Sequence, residues 1–336
     1  MAGKRKIHLV GSIGLEDENA VFAALAKHIG TRTTRYPDGE TGARTNWIAW
    51  LGGIFAAHPA FTNANSNEAG ARPVYGFADA IAPDDVTIPG LGYAEPATRS
   101  YARFAALRSA GTIAAGTRFQ VSLPTAIAPT TSFIAPEQQA MVEPIVEAAL
   151  KSDLDVILAA IPAEDLAIQW DVAHEIIAHD GGWKLHYSNT LDESVKRICR
   201  HLSWVPAPVE AGVHLCYGDP GHKHIVEPEN LATCVAFANA ICANASRPVN
   251  WMHMPVPRDR NDDAYFAPLR GLNLNPETEL YLGLVHHTGG LEGSRRRLQA
   301  AEKFAADFGL STECGFGRRP PETIPALLDI HAQLVD

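Results

Sequence analysis

Two thiols and an imidazole define the chemistry within reach of this chain. His214 and Cys216 stand two apart in His214-Leu215-Cys216, just after the strand-like pair Gly212-Val213, and a second thiol follows far along the chain in Thr312-Glu313-Cys314-Gly315. Side chains on an extended strand alternate with period two, so residues two apart face the same side. An imidazole and a thiolate side by side make half of a zinc site, and a cysteine from another strand supplies a third ligand. The five cysteines (199, 216, 234, 242 and 314) do not form a disulfide framework in a chain of 336 residues. Cys234 and Cys242 lie in an apolar stretch of helical spacing and read as small buried hydrophobes.

The elements that must position these groups alternate along the chain. Strand-like runs at Ile7–Val10, Thr33–Tyr36, Phe119–Leu123, Leu166–Gln169, Gly212–Cys216, Pro248–Met252, Leu280–Val285 and Leu310–Thr312 end in polar or glycine residues. Helical spacing falls between most of them, at Asn19–Ile29, Ser100–Ser109, Glu137–Leu158, Leu191–Leu202, Glu229–Ala245 and Ser294–Phe308. Strands alternating with helices indicate parallel βαβ units. Eight such units predict a single α/β domain over 1–336, a (β/α)8 TIM barrel with its chemistry at the carboxyl ends of the strands. The competing doubly wound sheet would carry a G-x-G-x-x-G or G-x-x-x-x-G-K-[ST] signature near the start, and neither is present. One connection is abnormally long. An insertion over about residues 43–117, after the second strand, carries Trp47, Trp50, Phe55, Phe61, Tyr75, Phe77, Tyr93 and Tyr101. Such a loop either covers the site or packs as a small core of its own.

Composition narrows the partners. With 46% hydrophobic and 20% charged residues the chain reads as an ordinary globular protein, and a net charge of −10 argues against nucleic acid or an anionic membrane. No apolar run approaches the ~20 residues needed to span a bilayer. The basic start Met1-Ala2-Gly3-Lys4-Arg5-Lys6 leads straight into a strand and lacks the apolar region of a signal peptide, so the expected location is the cytoplasm.

Several strand-end motifs together resemble one family. Val10-Gly11-Ser12, Gly39-Glu40, Ile168-Gln169-Trp170-Asp171, His214-Leu215-Cys216-Tyr217 and Glu313-Cys314-Gly315 follow the order of motifs in the zinc barrel of cobalamin-independent methionine synthase. That superfamily also contains uroporphyrinogen decarboxylase and coenzyme M methyltransferases. The resemblance spans nearly the whole chain, which corresponds to one barrel where the synthase has two. It implies a zinc cofactor held by His214, Cys216 and Cys314. Where the family has a glutamate ending the sixth strand, this chain has His253, the candidate fourth ligand, with Glu313 as a weaker substitute. Two thiolates and two neutral imidazoles leave Zn2+ with zero net charge, whereas the family set is negative by one, and the neutral site is the stronger Lewis acid. A structural Cys2His2 zinc is the alternative, although structural sites generally use local ligand pairs.

The resemblance also implies a reaction. A thiol of pKa about 8.5 is deprotonated outright on binding Zn2+ and attacks a methyl or other alkyl carbon. Ser12, Glu40 and Asp171 stand where the family holds the thiol substrate's carboxylate and ammonium, with Gln169 beside them and Asp38 as an extra acid. Asp38-Gly39-Glu40 also suits a plain strand-ending turn. The expected function is zinc-dependent methyl or alkyl transfer to a homocysteine-like thiol, from a small-molecule donor or a corrinoid protein. His286 and His287, ending the seventh strand, are the candidate acid or base; His222 and His224 are further imidazoles near the site. Arg44, Arg258 and Arg318 are of the type that clamps a carboxylate or phosphate. Two other readings stay open: a zinc hydrolase or lyase working through an activated water or carbonyl, and a metal-free ligand-binding or decarboxylase-type barrel.

Overall fold

The computed structural model describes residues 5–66, 70–218 and 223–336. Its centre is a parallel sheet of seven strands in the order β1 (Arg35–Pro37), β4 (Arg118–Pro124), β5 (Leu166–Val172), β6 (Glu210–Leu215), β7 (Trp251–Pro255), β8 (Glu279–Val285) and β9 (Gly309–Thr312). A separate antiparallel pair joins β2 (Phe61–Asn63) to β3 (Tyr75–Phe77). The inner strands are apolar and covered on both faces, as parallel strands between layers must be, and every residue of β5 is buried. Around the sheet run α1 (Glu18–His28), α2 (Gly52–Ala57), α3 (Ala94–Ser109), α4 (Ile127–Phe133), α5 (Gln139–Ala160), α6 (His174–His179), α7 (Leu191–Ser203), α8 (Ala232–Asn244), α9 (Asp263–Phe266), α10 (Gly290–Ala301) and α11 (Ile324–Val335).

The sheet is curled, and the N-terminal segment lies along both of its outer strands. The Ile7 amide donates to Arg32 O at 2.8 Å, while the His8 amide donates to Leu310 O at 2.8 Å and the Leu310 amide to Lys6 O at 2.9 Å. Further up, the Ile13 amide donates to Gly39 O and the Phe316 amide to Ser12 O, each at 2.8 Å. The expected first strand, Ile7–Val10, is therefore reduced to bridges at Ile7 and Ile13. The cause is local: Val10 O is taken by side chains, accepting from Gln169 Nε2 at 2.6 Å, Ser122 Oγ at 2.9 Å and Gln120 Nε2 at 3.2 Å.

The long connection from β1 to β4 holds α2, the β2–β3 pair and α3. Most of its aromatics pack on each other: Phe55 meets Phe61 at 5.5 Å and stacks on Tyr75 at 6.2 Å, and Phe61 stacks on Phe77 at 5.3 Å. Asp153 on α5 anchors the entry to α3 by accepting from the amides of Leu91 at 2.6 Å, Tyr93 at 3.2 Å and Ala94 at 3.3 Å. Among the described residues, no helix is long and apolar enough to cross a membrane.

At the amino ends of the strands a buried cation ties three of them together. Arg35 Nε donates to Glu210 at 2.6 Å, its Nη1 donates to Glu279 at 3.1 Å, and the guanidinium lies 4.3 Å from the ring of Trp251. Removing one partner of such a pair strands the others in a poorly solvated site. Arg35→Met is expected to lower the unfolding free energy by about 3 kcal/mol, measured by urea denaturation.

Candidate metal and substrate site

His214 is the Cα partner of His253 on β7, and Cys216 follows directly after β6. Cys314 lies two residues past β9. One ligand atom each from His214, Cys216 and Cys314 lies within 4.8 Å of the other two. The two sulfurs are 3.8 Å apart. Thiolates bound at ~2.3 Å on a tetrahedral ion would sit ~3.8 Å apart, so the spacing suits zinc without rearrangement. The donor set, two soft sulfurs and one imidazole nitrogen, suits it as well. The Gly218 amide also points at Cys216 Sγ, 3.3 Å away, as an amide facing a thiolate does.

The buried hydrogen bonds fix which nitrogen His214 presents. His253 Nε2 lies 3.0 Å from Thr312 O, and since a carbonyl only accepts, that nitrogen carries the proton. His253 is fully buried, and burial holds its pKa down at about 3, so its ring is neutral and Nδ1 is a lone pair. His214 Nδ1 lies 2.6 Å from that lone pair and donates to it. His214 Nε2 is therefore unprotonated, and it is buried with no hydrogen-bond partner. An orphaned imidazole lone pair beside two thiols fits a metal ion. Burial holds His214 itself well below the ordinary imidazole range, with His253 and His8 acting in the same direction.

His253 was expected as the fourth ligand, and the geometry gives it other work. Both of its nitrogens are engaged, with His214 and with Thr312. The reason is strand length: β7 does not end at His253 but runs on to Pro255, so the imidazole lies within the strand. Glu313 turns away toward His224, whose Nε2 lies 2.8 Å from its carboxylate, and toward His286 at 3.9 Å. Burial depresses His224, but the hydrogen bond and charge of Glu313 outweigh it and push the imidazole up to about 9. His222 lies outside the described residues.

The expected substrate residues converge on one small cavity. Ser12, Glu40 and Asp171 line a space of about 60 Å3 together with His214, Cys216, Cys314, Trp47 and Arg318. Asp171 Oδ1 accepts from Gln169 at 2.9 Å and Oδ2 from Trp47 Nε1 at 3.2 Å, yet burial pushes its carboxyl up to about 7. Burial, then the charge of Asp171, holds Glu40 well above the carboxylate range, against the opposing pull of Arg44. Gly11 leaves this carboxyl its place, because a Cβ at that position would displace Glu40 Oε1.

Two expected binding residues support this cavity from behind and do not line it. Gln169 is fully buried; it receives a hydrogen bond from His8 at 2.8 Å and donates to Val10 O at 2.6 Å and to Asp171. Asp38 accepts from the Glu40 amide at 2.9 Å, from Ser100 at 2.8 Å and from Arg44 at 2.8 Å. It holds a turn in which Gly39 has φ +83° and Glu40 φ +47°, an uncommon region for a residue with a Cβ. Trp47, also at φ +47°, lines the cavity and was not among the residues that motif reading assigned to the site. Its position just after Asp38-Gly39-Glu40 was the available signal. Arg44 is spent on Asp38, and Arg258 faces a different cleft.

That second cleft, of about 570 Å3, shares Cys314 and Gly315 with the small cavity and is lined by His286, His287, His224, Arg258 and Arg319 among others. His286 Nε2 donates to Val256 O at 2.8 Å, and burial lowers the ring to about 3, so it is a neutral, weakly basic group. His287 stands beside it, half-buried.

Glu175 is fully buried, and burial raises it to about 7 against the opposing pull of a hydrogen bond from Thr125. Folding therefore favours its protonated form. The cost of ionising it is absent below the unfolded pKa near 4.5, grows as pH rises and is complete above about 7. Glu175→Gln is expected to match the native melting temperature in acid and exceed it progressively up to about pH 7, then by a constant margin.

Comparison with known proteins agrees on architecture. No family model matches the sequence, and no curated protein matches it. Solved structures do. A B12-independent methionine synthase from Shewanella sp. W3-18-1, in complex with selenomethionine, superposes with TM-score 0.53 at 14% identity over 79% of this chain and 71% of that one. A protein from Listeria monocytogenes, provisionally named a vitamin-B12 independent methionine synthase, gives 0.57 at 12% identity over 95% and 86%. A methyltransferase from Methanosarcina mazei gives 0.52 at 11% identity over 100% and 96%. At these identities the likeness is one of fold, and it is the fold that the motifs resemble.

Proposed function

We propose that the chain is a single closed (β/α)8 barrel, the segment of about 43–117 its insertion, acting as a zinc-dependent methyl or alkyl transferase on an amino-acid thiol. One observation carries this reading: the His214, Cys216 and Cys314 donors open onto the same small cavity as Ser12, Glu40 and Asp171. A solved structure of the same fold carrying selenomethionine, an amino acid with a methylated chalcogen, is in keeping with it.

His214, Cys216 and Cys314 would hold the ion, and with His253 engaged elsewhere one tetrahedral position stays open, as catalytic sites require. Zinc bound there would acidify a substrate thiol and leave the set of two thiolates and one neutral imidazole at zero net charge. Glu40 and Asp171 are two buried carboxyls, and the charge of Asp171 opposes ionisation of Glu40; a substrate ammonium would add to the pull of Arg44 and favour the charged pair. Ser12 and Arg318, on the same cavity, face the substrate carboxylate. Trp47 covers Asp171 and keeps water from the carboxyl pair. In the overall reaction the thiol loses its proton, sulfur bonds the alkyl carbon, and the donor keeps the electron pair of the broken bond. The donor, a small molecule or a corrinoid protein, would approach from the larger cleft, where His286 and His287 are the nearby imidazoles.

Metal analysis tests the reading. Native protein is expected to hold about one zinc per chain, and Cys216→Ser or Cys314→Ser to lose it. Zinc-free native protein would exclude the proposal. With zinc present, X-ray absorption on adding homocysteine should gain a sulfur scatterer near ~2.3 Å; an unchanged shell points to water or carbonyl chemistry instead.

Affinity for the ammonium should follow the carboxyl pair. Binding of the S-methyl product, whose sulfur does not titrate, is expected to weaken as pH falls through about 7, where Asp171 takes up its proton. Asp171→Asn should weaken it ~10–100-fold at neutral pH, the worth of one charged hydrogen bond. Isothermal titration calorimetry reads both.

A further inference from the structure

We infer that His253 is a positioning residue: it holds His214 in the tautomer whose Nε2 lone pair faces the two thiols, and so sets how tightly the site holds its metal. The inference rests on the metal reading above. It concerns a residue that touches none of the proposed reactants.

The argument starts from the backbone. His214 and His253 are Cα partners on adjacent parallel strands, so their side chains emerge side by side. A free imidazole exchanges between two tautomers of similar energy. Only the form protonated at Nδ1 leaves Nε2 able to ligate, and the other form would aim an N–H at the metal position. His253 Nδ1 selects the useful form by accepting that proton at 2.6 Å. It does so only because its own Nε2–H is committed to Thr312 O at 3.0 Å. The chain of bonds runs carbonyl, imidazole, imidazole, with one direction of donation throughout.

The same chain has a mechanical effect. Thr312 precedes Cys314 by two residues on β9, and His214 precedes Cys216 by two on β6. His253 thus ties together the two strands that deliver the thiols, across β7 and β8. The contact is close enough to need a glycine: a Cβ on Gly283 of β8 would sit 2.8 Å from Thr312 O, 2.7 Å from Glu313 Cα and 3.0 Å from His253 Nε2. Partners that orient a metal-binding histidine in this way typically change metal affinity 10–100-fold when removed.

The test titrates zinc into metal-free protein against a chromophoric chelator, with imidazole 15N NMR of the same metal-free samples. His253→Leu keeps bulk but offers no acceptor, and is expected to weaken zinc ~10–100-fold and leave His214 as a tautomer mixture. His253→Gln can accept from His214 and donate to Thr312, and should restore most of the affinity and the Nδ1–H form. Gly283→Ala, which alters no imidazole, should weaken zinc by forcing Thr312 away. Native NMR showing His214 protonated at Nε2 would overturn the inference. So would zinc affinity in all three variants equal to native. Native protein that takes up no zinc sinks the metal reading, and the role in affinity with it, while the NMR arm still decides the tautomer.

Discussion

A hydrogen bond between two neutral imidazoles, His214 to His253, is the constraint on which the site turns. Histidine is an ambiguous group in a buried position, able to donate or accept at either nitrogen. Here the ambiguity is removed by a backbone carbonyl, Thr312 O, which can only accept. Everything upstream follows from that direction, and the lone pair reaches His214 Nε2 as an orphan among thiols. Desolvation makes the arrangement robust, since burial favours the neutral form of both rings.

A second constraint comes from the opposite wall. Burial raises the cost of ionising both Glu40 and Asp171, and the charge of Asp171 raises that of Glu40 further. The chain accepts a further cost to keep Glu40 there: a positive φ at Glu40, a glycine before it, and Asp38 committed with Arg44 and Ser100 to hold the turn. Conformations this unfavourable persist at sites where the result is used. A bound ammonium would relieve the carboxyl pair, so the binding of a cationic group and the stability of the fold are coupled through the same residues.

Much of this was legible in the sequence, because the chemistry sits at strand ends and strand ends are visible as runs of apolar residues stopping at polar ones. His214, Cys216, Cys314, Ser12, Glu40 and Asp171 were found that way, and they share one cavity. The failures were of depth and of distance. Met252-His253-Met254-Pro255 reads as a strand stopping at its polar residue, yet it continues to the proline and buries the imidazole. A shift of two residues along a strand separates a group that lines the cavity from one that supports it. Asp38-Gly39-Glu40 reads both as an extra acid and as a strand-ending turn; the structure has the turn, and Ser100, distant in sequence, completes the partners of Asp38. The first strand was read as regular, although side chains from β4 and β5 compete for its carbonyl at Val10.

The histidine at position 253 ties these points together. A carboxylate in that place could reach a metal or accept from His214. A neutral histidine already bonded to Thr312 keeps the accepting role alone. That leaves His214, Cys216 and Cys314 as the three donors gathered at one point, beside a cavity lined by Ser12, Glu40 and Asp171. The broad cleft shares Cys314 and Gly315 with the small cavity, so the two spaces meet at that loop. Two spaces that share one thiol suit passage of a group between two bound molecules, the arrangement the proposed transfer would use.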